Sequence, residues 1–315
     1  MRVAVFGYQS WGHRTLSAAI SAGHDVVLVV THPVSEHPYE QMWADSVEDL
    51  ARSHDIPVCI TDRAGQDVID ALRDASPDII IANNWRTLLP ADVYTIPSHG
   101  AINIHDGLLP EYAGFSPVLW ALLNRETHVG VTVHEMNDTL DGGPIIAQRS
   151  IPVGPTDTTT DLVSKTIDLI EPLLVDVLRD IDNGHVRKHA QDPTRATYFH
   201  KRGEKESRIS FSLPAEDIEL LVRAQSDPYP NAYFDFRGDR VRVTKAHVSR
   251  GRFGGTPGRV TIASEGGIAV VCGSSKANAP SPAIILDELK LEDGTHISAT
   301  EYFGQRAGYI SFAEP

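Results

Sequence analysis

Residues 1–31, MRVAVFGYQSWGHRTLSAAISAGHDVVLVVT, decide the architecture. A short apolar run at 3–6 passes through a glycine turn into a helical stretch, and a second apolar run follows at 25–30. Strands covered on both faces read as continuous apolar runs, and helices supply their crossovers. The alternation continues, with strands expected at 57–60, 78–82 and 101–104 and helices between them. In SVEDLARSH, Ser46 caps a helix with Asp49 three residues on. GQDVIDALRDA sets Val68, Leu72 and Ala75 on one face before Pro77 breaks the pattern. The expected class is α/β: a Rossmann-like, mostly parallel sheet with helices on both faces.

The glycine turn itself, GYQSWGHRTL, could present backbone amides to a phosphate. It is not a dinucleotide fingerprint. Tyr8, Gln9 and Trp11 crowd the loop between Gly7 and Gly12, and the second strand ends in Thr31-His32-Pro33 rather than an acid. A nicotinamide dehydrogenase is disfavoured, which leaves a plain strand-to-helix turn beside a substrate cleft.

Downstream, the turn-rich HDGLLPEYAGFSP precedes a helix in PVLWALLN and strands in VGVTVHEM and PIIAQRSIPV. A long amphipathic helix, about 159–181, closes a catalytic domain expected at 1–188. The polar, aperiodic stretch 189–207 reads as a linker. From 208 to 315, one helix (PAEDIELLVRAQ) and short strands parted by FRGD, GGTPG, SEGG and EDGT suggest a small OB-like β-barrel, with a sandwich as the alternative.

At 315 residues, 41% hydrophobic and 22% charged, the chain has room for two globular cores. Its apolar N-terminal run is too brief for a signal peptide and no stretch is long enough for a membrane span, so a cytoplasmic protein without membrane contact is expected. Cys59 and Cys272 sit in strand-like runs outside any CxxC pair, which favours reduced thiols and no metal. The net charge of −14 is uneven: residues 1–206 carry −13 and residues 207–315 carry −1. Between Arg237 and Arg259 seven basic residues meet the single Asp239, as a solvated strand face or as a dock for a polyanion.

The chemistry centres on AINIHDGLLPEYAGFSP. Asn103 and His105, two apart on a strand, share the face that opens at the strand's carboxyl end into the ligand crevice of an α/β sheet. A second segment, EMNDTLDGGPIIAQ, brings Asp141 in a glycine turn. Acyl transfer to an amine needs a donor for the oxyanion, a proton acceptor and a group that sets the acceptor's protonation. Carboxamide, imidazole and carboxylate meet those needs.

The run NxHxxLLPxxxG (Asn103, His105, Leu108, Leu109, Pro110, Gly114), with Asp141-Gly142-Gly143-Pro144-Ile145 downstream, resembles the folate-dependent formyltransferases. SRISFSLPAEDIELLVRAQSDPYPNAYF and TPGRV resemble the C-terminal domain of the methionyl-tRNA enzymes, so nearly the whole chain is covered. The resemblance implies 10-formyltetrahydrofolate as co-substrate. It implies that Asn103 donates to the formyl oxygen, and that His105 holds the formyl group and manages the proton. Asp141 would orient or charge the imidazole and relay protons through water. It also places the folate loop at Asn84, Trp85, Arg86, Thr87, Leu88, Leu89 and Pro90, closed by Asn137, Asp138, Thr139, Leu140 and Asp141. Trp85 and Arg86 depart from the family pattern, and Trp85 could equally belong to the core.

For the acceptor, an acidic chain repels tRNA phosphates. The stretch after the second strand, THPVSEHPYEQMWADSVEDLA, lacks Lys and Arg where methionyl-tRNA enzymes carry a basic insertion. FGYQSWGHRTL, NNWRTLLP and HDGLLPEYAGFSPVLWAL look most like the formyltransferases of hydroxamate siderophore assembly, which act on N5-hydroxyornithine. A small amine or hydroxylamine is the expected partner, ahead of methionyl-tRNA and then nucleotide amino sugars; an inactive folate- or RNA-binding relative is the non-enzymatic alternative. Gln9, Trp11, His13, Glu111, Tyr112 and Phe115 are candidate acceptor contacts. The spacing sets no oligomeric state.

Overall fold

The computed structural model describes residues 1–35, 37, 41–274, 279–304 and 308–310, and the chain divides into two compact units. The first comprises Met1–Val153 and Asp161–Lys201, the second Gly154–Thr160 and Arg202–Pro315.

The first unit runs β1 (Arg2–Gly7), α1 (Gln9–Ser21), β2 (Asp25–Thr31), α2 (Val47–Ser53), β3 (Val58–Ile60), α3 (Gln66–Ala75), β4 (Ile79–Asn83), α4 (Ala91–Tyr94) and β5 (Ala101–His105). There follow β6 (Ala113–Gly114), α5 (Pro117–Leu123), β7 (His128–Glu135), β8 (Ile145–Pro152), α6 (Thr159–Asp182) and β9 (Tyr198–Phe199). The sheet order is β3-β2-β1-β4-β5-β7-β8. The strands from β3 to β5 pair in parallel, whereas β7 is antiparallel to both β5 and β8. On one face Ala4, Phe6, Leu28, Val30, Ile80 and Ala82 pack with Val68 and Leu72 of α3 and Val93 of α4. The alternate residues Val3, Val5, Val29, Ile79 and Ile81 are buried too, as continuous apolar runs require. Ser46 caps α2 as its position suggested, accepting from Asp49 N–H at 3.0 Å.

Strand order diverges on either side of β1 and β4, and the crevice outside their carboxyl ends is where α/β sheets bind ligands. The Gly7–Gly12 pair there has a packing reason: a Cβ on Gly12 would lie 2.5 Å from the Gly7 carbonyl carbon. Only paired glycines let α1 start this close to β1. Part of the acidic stretch after β2 (Glu36, Pro38, Tyr39 and Glu40) lies outside the described residues.

The second unit holds α7 (Ala215–Ala224), β10 (Ala232–Phe236), β11 (Asp239–Phe253), β12 (Arg259–Ser264), β13 (Gly267–Val270), β14 (Ser281–Lys290), β15 (His296–Ser298), α8 (Ala299–Phe303) and β16 (Gly308–Tyr309). Its sheet is antiparallel, ordered β10-β11-β14-β13-β12-β16, with β15 beside β14. Phe211, Phe234, Phe236 and Phe303 fill the core of this curled half-barrel, which is OB-like. Its basic strand is partly neutralised: Arg240 and Arg242 reach Glu204 at 3.1 and 2.7 Å, and Arg240 also lies 3.6 Å from Asp235. Cys59 is half-buried and Cys272 buried, both as free thiols. Among the described residues no helix is long and apolar enough to cross a membrane.

Candidate active site

Asn103 and His105 lie at the carboxyl end of β5, whose antiparallel neighbour β7 sets His134 opposite Asn103 and Thr132 opposite His105. Residues directly opposite on paired strands bring their side chains together on one face. Asn103 Nδ2 is accordingly 3.2 Å from His134 Nε2. The other ring nitrogen of His134, Nδ1, lies 2.8 Å from the Glu135 carbonyl, which can only accept. Nδ1 therefore carries the proton and Nε2 accepts from the Asn103 amide. Burial pushes the His134 pKa down to about 4, against the upward pull of Asp141 and with the help of His105. A neutral imidazole thus holds the carboxamide with its nitrogen turned inward.

Asp141 arrives from the turn between β7 and β8. Its Oδ2 lies 3.7 Å from His105 Nδ1, and its Oδ1 lies 3.7 Å from His134 Nε2. Gly114 N–H donates to Oδ2 at 2.9 Å. The residue has φ of 50°, a left-handed conformation that Asp tolerates better than most. Gln191 clamps the turn from beyond α6, its amide donating to the carbonyls of Asp141 and Gly143 at 2.6 and 2.7 Å. Gly143 admits no side chain, since a Cβ would fall 1.8 Å from the Glu135 carbonyl oxygen.

His105 is fixed from the opposite edge. Its Nε2 is 2.8 Å from the Tyr112 carbonyl, so Nε2 is the donor and Nδ1, towards Asp141, is the position free to take up or release a proton. Gly107 leaves room for the ring: a Cβ there would meet Nε2 at 2.8 Å. The result is a carboxamide donor, an imidazole with one exchangeable nitrogen and a carboxylate, all joined through Asp141 and His134.

The folate-loop candidates divide. Trp85 stacks on His32 at 4.1 Å between centroids, meets Phe6 edge-on and packs against the sheet core. Arg86 reaches Gln9 Oε1 at 3.2 Å and its guanidinium sits 4.7 Å from the Tyr8 ring centroid. Thr87 donates to the Asp62 carbonyl at 3.4 Å, and Leu88 is 83% exposed. Leu89 is buried in the cluster that Met136 joins, so the two loops share one apolar anchor. Asn137 Oδ1 accepts from Thr139 N–H at 2.9 Å, while Asp138, Thr139 and Leu140 are exposed.

Among the acceptor-side candidates, Tyr112 bonds to the triad through its carbonyl, while its hydroxyl donates to Glu126 at 2.7 Å. Glu111 pairs with Arg195 at 2.7 Å, Trp11 points its Nε1 at Asp106, Gln9 is buried, His13 Nδ1 is buried without a partner, and Phe115 is exposed. His134 and Gln191 went unnoticed in the sequence. The signal for His134 is its place in VHEM, alternating with the apolar residues of a strand; Gln191 gives none. Among the described residues no group of three or more His, Cys, Asp or Glu could hold a metal ion.

Residues 1–178 match the formyl transferase family, and residues 202–306 match the formyl transferase C-terminal domain. The chain belongs to the formyl transferase family. Solved structures with the same fold include HypX from Aquifex aeolicus in complex with tetrahydrofolic acid, 18% identical with a TM-score of 0.62. That match covers 97% of this chain but 47% of HypX, so this chain spans about half of the HypX length. The N-formyltransferase from Helicobacter canadensis, solved with folinic acid and dTDP-3-aminofucose, is 18% identical with a TM-score of 0.66, over 90% of this chain and 98% of its own. WlaRD, a sugar 3N-formyl transferase solved with dTDP and 5-N-formyl-THF, is 17% identical with a TM-score of 0.65, over 91% and 97% of the two chains.

Proposed function

We propose that this formyltransferase moves the formyl group of 10-formyltetrahydrofolate to a small amine or hydroxylamine, N5-hydroxy-L-ornithine of siderophore assembly being the preferred acceptor. The observation that carries the reading is the Asn103 amide, held by a neutral His134, beside an Asp141 that lies 3.7 Å from both imidazoles. The acceptor nitrogen attacks the formyl carbon, and the oxygen of the tetrahedral intermediate takes the Asn103 N–H. His105 Nδ1, backed by Asp141, accepts the proton from the attacking nitrogen and passes it to N10 of the folate as the C–N10 bond breaks. Tetrahydrofolate and the N-formyl product leave. The loops at 84–90 and 137–141 would hold the pterin; the complexes of HypX with tetrahydrofolic acid and of the Helicobacter canadensis enzyme with folinic acid support a reduced folate as co-substrate.

The acidity of the first 206 residues supports a cationic acceptor over tRNA. A second reading, transfer to a nucleotide amino sugar, is supported by likeness to sugar N-formyltransferases over nearly their full length. Purified chain with 10-formyltetrahydrofolate and each candidate amine tests both, by tetrahydrofolate release and product mass. Turnover with hydroxyornithine alone supports the first reading; turnover only with a dTDP-amino sugar or methionyl-tRNA replaces it.

A further inference from the structure

The carboxylate of Asp141 is not held by the groups it serves. At 3.7 Å, neither His105 nor His134 is within hydrogen-bond distance of it, so the imidazoles do not fix its place. Its donor among the described residues is the Gly114 N–H, 2.9 Å from Oδ2. The backbone beneath it is left-handed, with φ of 50°, a conformation that persists in a residue other than glycine only where the surroundings over-determine it. Residues 137–140, which lead into the turn, are exposed and give it little packing. The restraint has to come from the other side of the turn.

Gln191 supplies it. Its amide nitrogen carries two hydrogens and lies 2.6 Å from the Asp141 carbonyl and 2.7 Å from that of Gly143, gripping the turn on both sides of Gly142. Gln191 is itself anchored in both directions along the chain. Before it, His189 exchanges two backbone hydrogen bonds with Ile145, each of 2.8 Å. After it, the Arg195 N–H closes a turn onto the Asp192 carbonyl at 3.1 Å, and the Arg195 guanidinium pairs with Glu111 at 2.7 Å. Two residues further on, Thr197 holds the loop that carries Gly114: its hydroxyl accepts from the Tyr112 N–H at 3.0 Å, and its carbonyl accepts from the Ala113 N–H at 2.9 Å. One segment thus ties down the Asp141 turn through a side chain and the Gly114 loop through separate bonds.

We infer that Gln191 is a positioning residue for Asp141, a two-point clamp that keeps the carboxylate between the Gly114 N–H and His105 Nδ1. It acts through main-chain carbonyls and donates nothing to the reacting groups. Its effect on rate rests on the proposed formyl transfer; its effect on where the carboxylate sits does not.

The test combines amide exchange and turnover. Gln191→Met keeps the length of the side chain and removes both donors. Read residue by residue by NMR, exchange of the Gly114 N–H should quicken about tenfold or more in this variant, the loss expected of its bond to a displaced carboxylate. Exchange of the Tyr112 and Ala113 N–H groups, bonded to Thr197, should stay as in the wild type. In turnover of 10-formyltetrahydrofolate with N5-hydroxy-L-ornithine, kcat should fall about tenfold to hundredfold with both KM values unchanged, because a misplaced group costs rate rather than binding. Equal Gly114 exchange in the two proteins overturns the assignment, as does loosening of Tyr112 and Ala113 to the same extent, an unchanged kcat, or a loss confined to KM. Gln191→Asn, whose amide falls one methylene short of the two carbonyls, should show the same signature and decides the matter if Gln191→Met fails to fold. If Gly114 exchange depends on Gln191 but the wild type does not formylate hydroxyornithine, the clamp stands and the proposed acceptor falls.

Discussion

At the residue scale the site depends on which atom of each side chain is committed. Asn103 has one amide hydrogen engaged by His134, which leaves the other for an oxyanion. Asn103→Ala should therefore lower kcat by about 10²–10³-fold with little change in folate KM, read from initial rates. His134 has a pH signature of its own. Below about 6.5 the unfolded chain takes up a proton that the folded chain refuses until about 4, so stability falls across that window as the solution is acidified. The wild-type urea midpoint should therefore fall relative to that of His134→Gln on acidification from about pH 6.5 to about 4, since the opposite contribution of Asp106 is common to both proteins. Asp106 slopes the other way. Its carboxyl is raised to about 6 in the fold, so the penalty for ionising it is present above that pH and disappears on acidification towards 3.8. Asp106→Asn should accordingly gain on the order of 2 kcal/mol at pH 7 and nothing near pH 4, again by urea titration. Asn103, His105 and Asp141 could be picked from the sequence because strand alternation and a glycine turn offer such side chains and the run around them resembles the folate-dependent formyltransferases. The alternation in VHEM marks the face of His134 but not its partner Asn103, because cross-strand register is not encoded in one strand's sequence.

At the element scale the decisive feature is the change from parallel to antiparallel pairing after β5. It carries β7 back alongside the tip of β5 and delivers the turn with Asp141 to the crevice. Strand positions, the cap on α2 and both glycine turns were legible, because each rests on local periodicity or backbone demand. The direction of β7 was not, since VGVTVHEM reads alike in either orientation. Gly143 is the tightest point of the turn. Gly143→Ala should cost about 3 kcal/mol or more, visible as a lowered Tm, because the new methyl would overlap the Glu135 carbonyl. The positive φ of Asp141 lets one substitution separate charge from shape: Asp141→Asn keeps the left-handed backbone and discards the carboxylate, and should lose activity without losing Tm.

At the scale of the whole molecule, composition foretold two globular parts and an acidic first portion, and the α/β unit and curled antiparallel unit match the two architectures read from the spacing of apolar runs. The arginine-rich stretch was harder to read. Charge counting shows seven basic residues, but not that Glu204 and Asp235, outside the stretch, turn back to meet Arg240 and Arg242. Fluorescence anisotropy with labelled tRNA at physiological salt should show no saturable binding, in keeping with this neutralisation and the overall charge. Gln191 gives the molecule a seam where family boundaries would not put one. The two family matches leave residues 179–201 unclaimed, yet His189 bridges to Ile145, Gln191 grips the turn beside His105, and β9 pairs with β6. An excised first portion ending at 178 would carry every triad side chain and lack the Gln191 amide that holds the Asp141 turn.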